Sequence, residues 1–117
     1  MARILLVDDD ADGIALRKLI LERAGHCVAV ATNAEEARER YRESAPDAAI
    51  LDLRLPRAEN GRALIRDLRR DLPGVRILTL SGWSADLDGC AERELIDALF
   101  TKPAAPERLL SAINSLW

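Results

Sequence analysis

Lysine occurs only twice among 17 basic residues, as Lys18 and Lys102; histidine occurs once, at His26, and cysteine twice, at Cys27 and Cys90. The shortages of cysteine and histidine each exclude something. The two cysteines stand apart and fit no metal-binding spacing, so they read as reduced thiols. His26 follows Gly25 at the start of a short apolar run, away from every acidic cluster, and reads as structural. Long hydrophobic runs are missing too. The chain turns acidic at Asp8 after the four apolar residues 4–7, too short for a signal-peptide core or a membrane span, so a soluble cytoplasmic protein is expected. The net charge of −3 comes without a basic face, which argues against direct nucleic-acid binding. There is no repeat, low-complexity tract or linker, and 117 residues that are 49 % hydrophobic suit one domain over 1–117 with a single core.

What the chain does have is four short apolar runs that each end in a polar residue suited to phosphate or a metal ion. Residues 4–7 run into Asp8, Asp9 and Asp10; 48–51 into Asp52; 77–80 into Ser81; and 98–100 into Thr101, Lys102 and Pro103. Apolar runs this short, bounded by polar or turn residues, read as buried parallel strands. In an open parallel sheet, ligands bind in the crevice beyond the carboxyl ends of the strands. If these runs share one sheet, carboxylates, a hydroxyl and an ammonium converge on one edge, a set suited to a divalent cation and a phosphoryl group.

Helical patterns fill the intervals. Residues 11–24 read as a helix with Leu16, Leu19, Ile20 and Ala24 on its apolar side, stopped by Gly25. A weak strand near an edge is expected over 27–30. Thr32 or Asn33 can cap a second helix to about Glu43, with Glu35 and Glu36 in its first turn. A third helix is expected over 61–72, burying Leu64, Ile65, Leu68 and Leu72, before a strand over 75–80. Residues 82–95 have a helical middle but no clean stripe. Pro106 suits the first turn of a last helix carrying Leu109, Leu110, Ile113, Leu116 and Trp117 on one face. Alternating strands and helices of these lengths give an α/β doubly wound sheet.

Taken singly, each polar group has a plain reading. Asp8 and Asp9 could be a solvated acidic turn, Asp52 and Ser81 turn residues, and Lys102 a surface lysine. Taken together they form a chemistry. Mg²⁺ takes oxygen ligands, commonly one or two carboxylates plus water and phosphate. A strand-end carboxylate can be a phosphoryl acceptor, provided a cation offsets the repulsion between two anions.

The stretches ILLVDDD at 4–10, DAAILDLRLP at 47–56, ENG at 59–61, ILTLSG at 77–82 and FTKP at 100–103 together resemble the receiver domain of two-component response regulators along the whole chain. The resemblance implies a flavodoxin-like sheet of five parallel strands in the order 2-1-3-4-5, with helices on both faces. It implies that Asp52 accepts a phosphoryl group from a sensor histidine kinase or phosphotransfer protein, with Mg²⁺ held by Asp9, by Asp8 through water, by Asp52 and by the Arg54 carbonyl. Ser81 and Lys102 would contact the phosphoryl oxygens, and the Lys102–Pro103 peptide is similar to one that is cis in the family. The chain would then act as a phosphoacceptor rather than an enzyme, catalysing at most its own phosphotransfer and dephosphorylation. A conformational switch would control a protein target or a fused output domain.

Several positions depart from the family pattern. Leu99 stands where an aromatic residue is common, so a switch by aromatic flip is not expected. Glu94 and Leu95 replace a small residue and glycine, so the segment before the fifth strand is expected to be short or irregular. Arg54 and Trp83, bulky residues two places after the acceptor and two after the hydroxyl, point to a slow loss of phosphoryl. Leu116 and Trp117 suggest a surface covered by a partner, a dimer mate or further chain; the sequence fits a free-standing regulator or a receiver cut from a longer protein. Two other classes compete. An aspartate-nucleophile phosphohydrolase needs an acid two places after the nucleophile, where Arg54 stands. A receiver-like interaction module independent of phosphorylation would not need Mg²⁺.

Overall fold

The computed structural model describes residues 2–55, 57–82, 87, 89–102 and 104–115. Five strands form one parallel sheet in the order β2-β1-β3-β4-β5, with β1 at Arg3–Val7, β2 at Cys27–Ala31, β3 at Ala48–Asp52, β4 at Arg76–Ser81 and β5 at Ala98–Thr101. Four α-helices among the described residues cover it: α1 at Ala11–Arg23, α2 at Ala34–Glu43, α3 at Ala58–Asp71 and α4 at Pro106–Ser115. The doubly wound α/β order expected from the resemblance is therefore observed. The central strand β3 is buried along its whole length, while β2 alternates between exposed and half-buried positions up to the buried Ala31 at its end, as an edge strand does.

The period-2 alternation of the strands sorts the core into two layers. Leu5, Val7, Ala49, Leu51 and Ile77 face α2 and α3, meeting Ala37, Tyr41, Leu64, Ile65 and Leu68. Ile4, Leu6, Ala48, Ile50, Leu78 and Leu80 face α1 and α4, meeting Ile14, Leu21, Leu109 and Ile113. Leu99 packs with the first layer and Phe100 with the second. The two residues thus lie on opposite sides of the sheet.

Three helical details differ from the expectations. The inward face of α1 carries Ile14 and Leu21, whereas Leu16 and Leu19 are 52 % and 46 % exposed. Counting leucines selected the wrong face because an arginine, Arg17, sits on the right one. Helix α3 begins at Ala58 rather than Gly61. The Asn60-Gly61 pair that looks like a turn lies inside the helix, where the Asn60 Oδ1 accepts the Arg57 N–H at 3.2 Å. Leu72 lies just past the end of this helix and is half-buried. Before β5 the described residues form a 3-10 turn at Ala91–Leu95, in line with the expected irregularity. Elsewhere the expected caps hold: Asn33 Oδ1 accepts the Glu36 N–H at 2.8 Å, and Pro106 opens α4. Leu116, Trp117, Trp83 and Pro103 lie outside the described residues, and so do the expectations placed on them.

A row of arginines on α3 fastens the segment before β5. Arg62 and Arg66 pair with the buried Glu92 at 3.8 and 3.1 Å. Arg69 donates to the Leu95 carbonyl at 3.1 and 2.7 Å, to the Pro73 and Val75 carbonyls at 3.0 and 2.8 Å, and to Asp97 at 3.3 Å. One planar guanidinium thus ties α3 to the entrances of β4 and β5. Arg69→Met is expected to lower stability by about 2 kcal/mol, the scale of losing several backbone carbonyl partners at once. Urea unfolding measures it.

Candidate functional site

The same alternation that builds the core brings the site together. Asp8 continues the row of Ile4 and Leu6, and Asp52 continues that of Ala48 and Ile50, so both carboxylates emerge on the α1/α4 side of the sheet's carboxyl edge. Lys102 continues the row of Ala98 and Phe100 on the same side. Carboxylate oxygens of Asp8, Asp9 and Asp52 lie within 4.8 Å of one another. Asp8 and Asp52 are buried, and Asp9 is exposed. Lys102 Nζ donates to Asp52 Oδ2 at 2.8 Å and stands 3.7 Å from Asp8 Oδ2. Its backbone N–H donates to the Ser81 carbonyl at 2.7 Å, which joins the ends of β4 and β5. Ser81 itself is buried at the last position of β4. The Arg54 N–H donates to Asp52 Oδ1 at 3.3 Å, and the Arg54 residue is exposed.

The loop after β3 is seated by a close approach. A Cβ built on Gly61 would overlap the Leu53 carbonyl oxygen, and would lie 2.6 Å from the Leu53 carbonyl carbon and 2.7 Å from its Cα. Only a residue without a side chain lets α3 lie against the backbone beside Asp52.

Electrostatics separates the two buried acids. Burial disfavours the charge on Asp8, but the Asp10 N–H at 3.0 Å, the Lys102 ammonium and the Arg17 guanidinium together outweigh it and hold the carboxyl below its ordinary value. Burial prevails at Asp52, where the negative charge of Asp8 adds to it, and the carboxyl is pushed up despite the hydrogen bond and charge of Lys102. Three carboxylates, Asp8, Asp9 and Asp52, face two cations, Lys102 and Arg17, so an added cation is electrostatically favoured there. Its donors are carboxylate oxygens, hard ligands that suit Mg²⁺, so the residues present fit that ion.

The side chains of Asp8, Asp9, Asp52 and Lys102 thus gather at one strand edge, with Ser81 at the adjoining end of β4 and Arg54 in the loop after β3. One charged neighbour escaped the sequence reading: Arg17, whose Nη1 donates to Asp8 Oδ2 at 2.8 Å. Its signal was available, because Ile14, Arg17 and Leu21 recur at i, i+3 and i+7, and an arginine between two buried residues on one helix face needs a buried partner. His26 takes no part in the site. Its Nδ1 accepts the Ala2 N–H at 3.0 Å, at the opposite end of β1.

Residues 4–114 match the family described as the response regulator receiver domain. The chain is 37 % identical over 112 residues to a response regulator receiver protein from Anaeromyxobacter, covering 94 % of this chain and 46 % of that one. It is 33 % identical over 117 residues to the chemotaxis protein CheY of Thermotoga maritima, covering 97 % of this chain and 96 % of that one. The crystal structure of the response regulator TrrA from Thermotoga maritima, in complex with Mg²⁺ and BeF, superposes with a TM-score of 0.88 at 26 % identity, over the full length of both chains. The chain thus spans about half of some relatives and nearly all of others.

Proposed function

The chain belongs to the response regulator receiver domain family, and we propose on that footing that Asp52 accepts a phosphoryl group in a Mg²⁺-dependent step of two-component signalling. The observation that carries the reading is the convergence of three carboxylates and Lys102 at one strand edge, with their oxygens within 4.8 Å of one another. Receiver domains are in general signalling modules rather than enzymes.

The residues divide the task by position. Asp9, Asp8 and Asp52, with the Arg54 carbonyl, would hold Mg²⁺, which supplies charge neutralisation between acceptor and donor. Asp52 Oδ2 is the nucleophile, held by Lys102 at 2.8 Å in the resting state. In-line attack forms the bond from this oxygen to phosphorus as the bond from phosphorus to the donor nitrogen of a phosphohistidine breaks. Lys102 is then free to pair with the phosphoryl oxygens, since its ammonium is a mobile point charge on a flexible stem. The hydroxyl of Ser81, the last residue of the neighbouring strand, would take up another of those oxygens. Pulling on Ser81 moves the β4 end and the segment that follows it, biasing a two-state equilibrium. Leu99 has no hydroxyl to reorient and is packed on the α2/α3 side, so the switch works without an aromatic flip. The donor is a sensor histidine kinase or phosphotransfer protein, and the receiver of the signal is a protein target or a fused output domain. The net charge of −3 argues against direct nucleic-acid binding by the domain, and among the described residues no helix is long and apolar enough to cross a membrane.

Beryllofluoride, a phosphoryl mimic, tests the reading. With Mg²⁺ present it is expected to shift the backbone amide resonances of Ser81, Lys102 and Arg54, and to do so neither in Asp52→Asn nor after chelation. Equal shifts in Asp52→Asn would contradict the assignment of the acceptor.

A further inference from the structure

Arg17 is out of keeping with its surroundings. It shares the inward face of α1 with Ile14 and Leu21, both buried in the core cluster that includes Ile4, Leu6 and Ile50, and its own side chain is only 13 % exposed. A desolvated guanidinium is costly unless it is paired. Its partner is Asp8, through a charged hydrogen bond of 2.8 Å to the same Oδ2 that Lys102 approaches at 3.7 Å. The path to that oxygen passes Gly13, one helical turn earlier. A Cβ there would stand 3.0 Å from Asp10 Oδ2 and 3.2 Å from Arg17 Nη1, so glycine leaves the guanidinium room.

We propose that Arg17 is a resident counter-cation of the acidic pocket, a positioning residue that weakens the hold on a divalent cation and strengthens the hold on a phosphoryl anion. This rests on the phosphoacceptor reading above. Asp8, Asp9 and Asp52 face two fixed cations, Lys102 and Arg17, and one net negative charge is left over. Without Arg17 the pocket carries one more negative charge. A divalent cation then gains affinity, and an anion arriving beside that cation loses it. The two effects have opposite signs. A residue that only fastened α1 to the sheet would, on removal, loosen the pocket and weaken both ligands together.

Calorimetric titration with Mg²⁺, and beryllofluoride titration at saturating Mg²⁺, distinguish these cases in Arg17→Gln, Arg17→Met and Arg17→Lys. Removing one unit charge a few ångström beyond the carboxylate, in a hydrated pocket, is expected to tighten Mg²⁺ about tenfold and to raise the half-saturating beryllofluoride about threefold. Arg17→Lys keeps the charge and is expected to stay close to wild type for both. Arg17→Met suits the apolar face of α1 and serves if the glutamine variant does not fold. Unchanged affinities in the neutral variants, or both ligands weakened together, overturn the role of Arg17 while leaving the phosphoacceptor reading intact. A wild-type protein that takes neither ligand overturns both.

Discussion

Replacing Lys102 by alanine is expected to slow phosphoryl acceptance from acetyl phosphate by about a hundredfold, while Mg²⁺ binding becomes no weaker. The ammonium lies 2.8 Å from the nucleophilic carboxylate and 3.7 Å from Asp8, so it is already in place before the donor arrives. A charge preorganised where new negative charge must settle acts mainly on the transferring group. Removing it keeps all three carboxylates, frees Asp52 Oδ2 of its hydrogen bond and takes a repulsive neighbour away from the ion. Arg17 does not compensate, because its guanidinium is committed to Asp8 on the α1 side. The rate of mass gain at saturating Mg²⁺ measures the effect. A rate within about threefold of wild type would show that the transition state does not use this cation.

Gly61→Ala is expected to destabilise the fold by about 3 kcal/mol, the upper range for forcing a methyl into a close-packed site. The clash is with the Leu53 backbone, which cannot rotate away as a side chain could. Relief requires α3 to slide or the loop after β3 to move, and that loop carries Arg54, whose N–H holds Asp52 Oδ1. Stability and Mg²⁺ affinity should therefore fall together. Gly74→Ala is the control. Nothing lies within 4 Å of a Cβ there, so the change should be neutral or stabilising by about 0.5 kcal/mol, by restricting the unfolded chain. Urea unfolding of the two variants should separate clearly. Equal stabilities would mean that α3 does not depend on the Leu53 contact.

Much of this was legible in the residues because parallel strands announce themselves. Runs such as AAILD are buried on both faces, so their positions are mostly apolar until the strand ends, and the polar residues at that end mark the edge where ligands bind. That logic puts Asp8, Asp52, Ser81 and Lys102 at or just beyond strand ends. Helices are harder, because their inward face is decided by what they pack against. On α1 the leucines at 16 and 19 outweighed Ile14 and Leu21, and the arginine between the latter two hid the true stripe. Gly61 misled for a related reason. Asn-Gly is a turn signal locally, and only the approach of α3 to Leu53 reveals why a glycine sits inside a helix. The clamp of Arg62, Arg66 and Arg69 on Glu92, Leu95 and Asp97 depends on contacts 26 to 30 residues apart along the chain, beyond the reach of any local pattern.

The most direct measurement is the intact mass of wild type and Asp52→Asn after incubation with acetyl phosphate, with and without Mg²⁺. The account predicts a gain of one phosphoryl group in wild type, only with Mg²⁺, and none in the variant. A gain of the same size in Asp52→Asn would place the acceptor elsewhere. No gain in wild type, from acetyl phosphate or from phosphohistidine donors, would contradict the phosphoacceptor reading and favour an interaction module that works without phosphate.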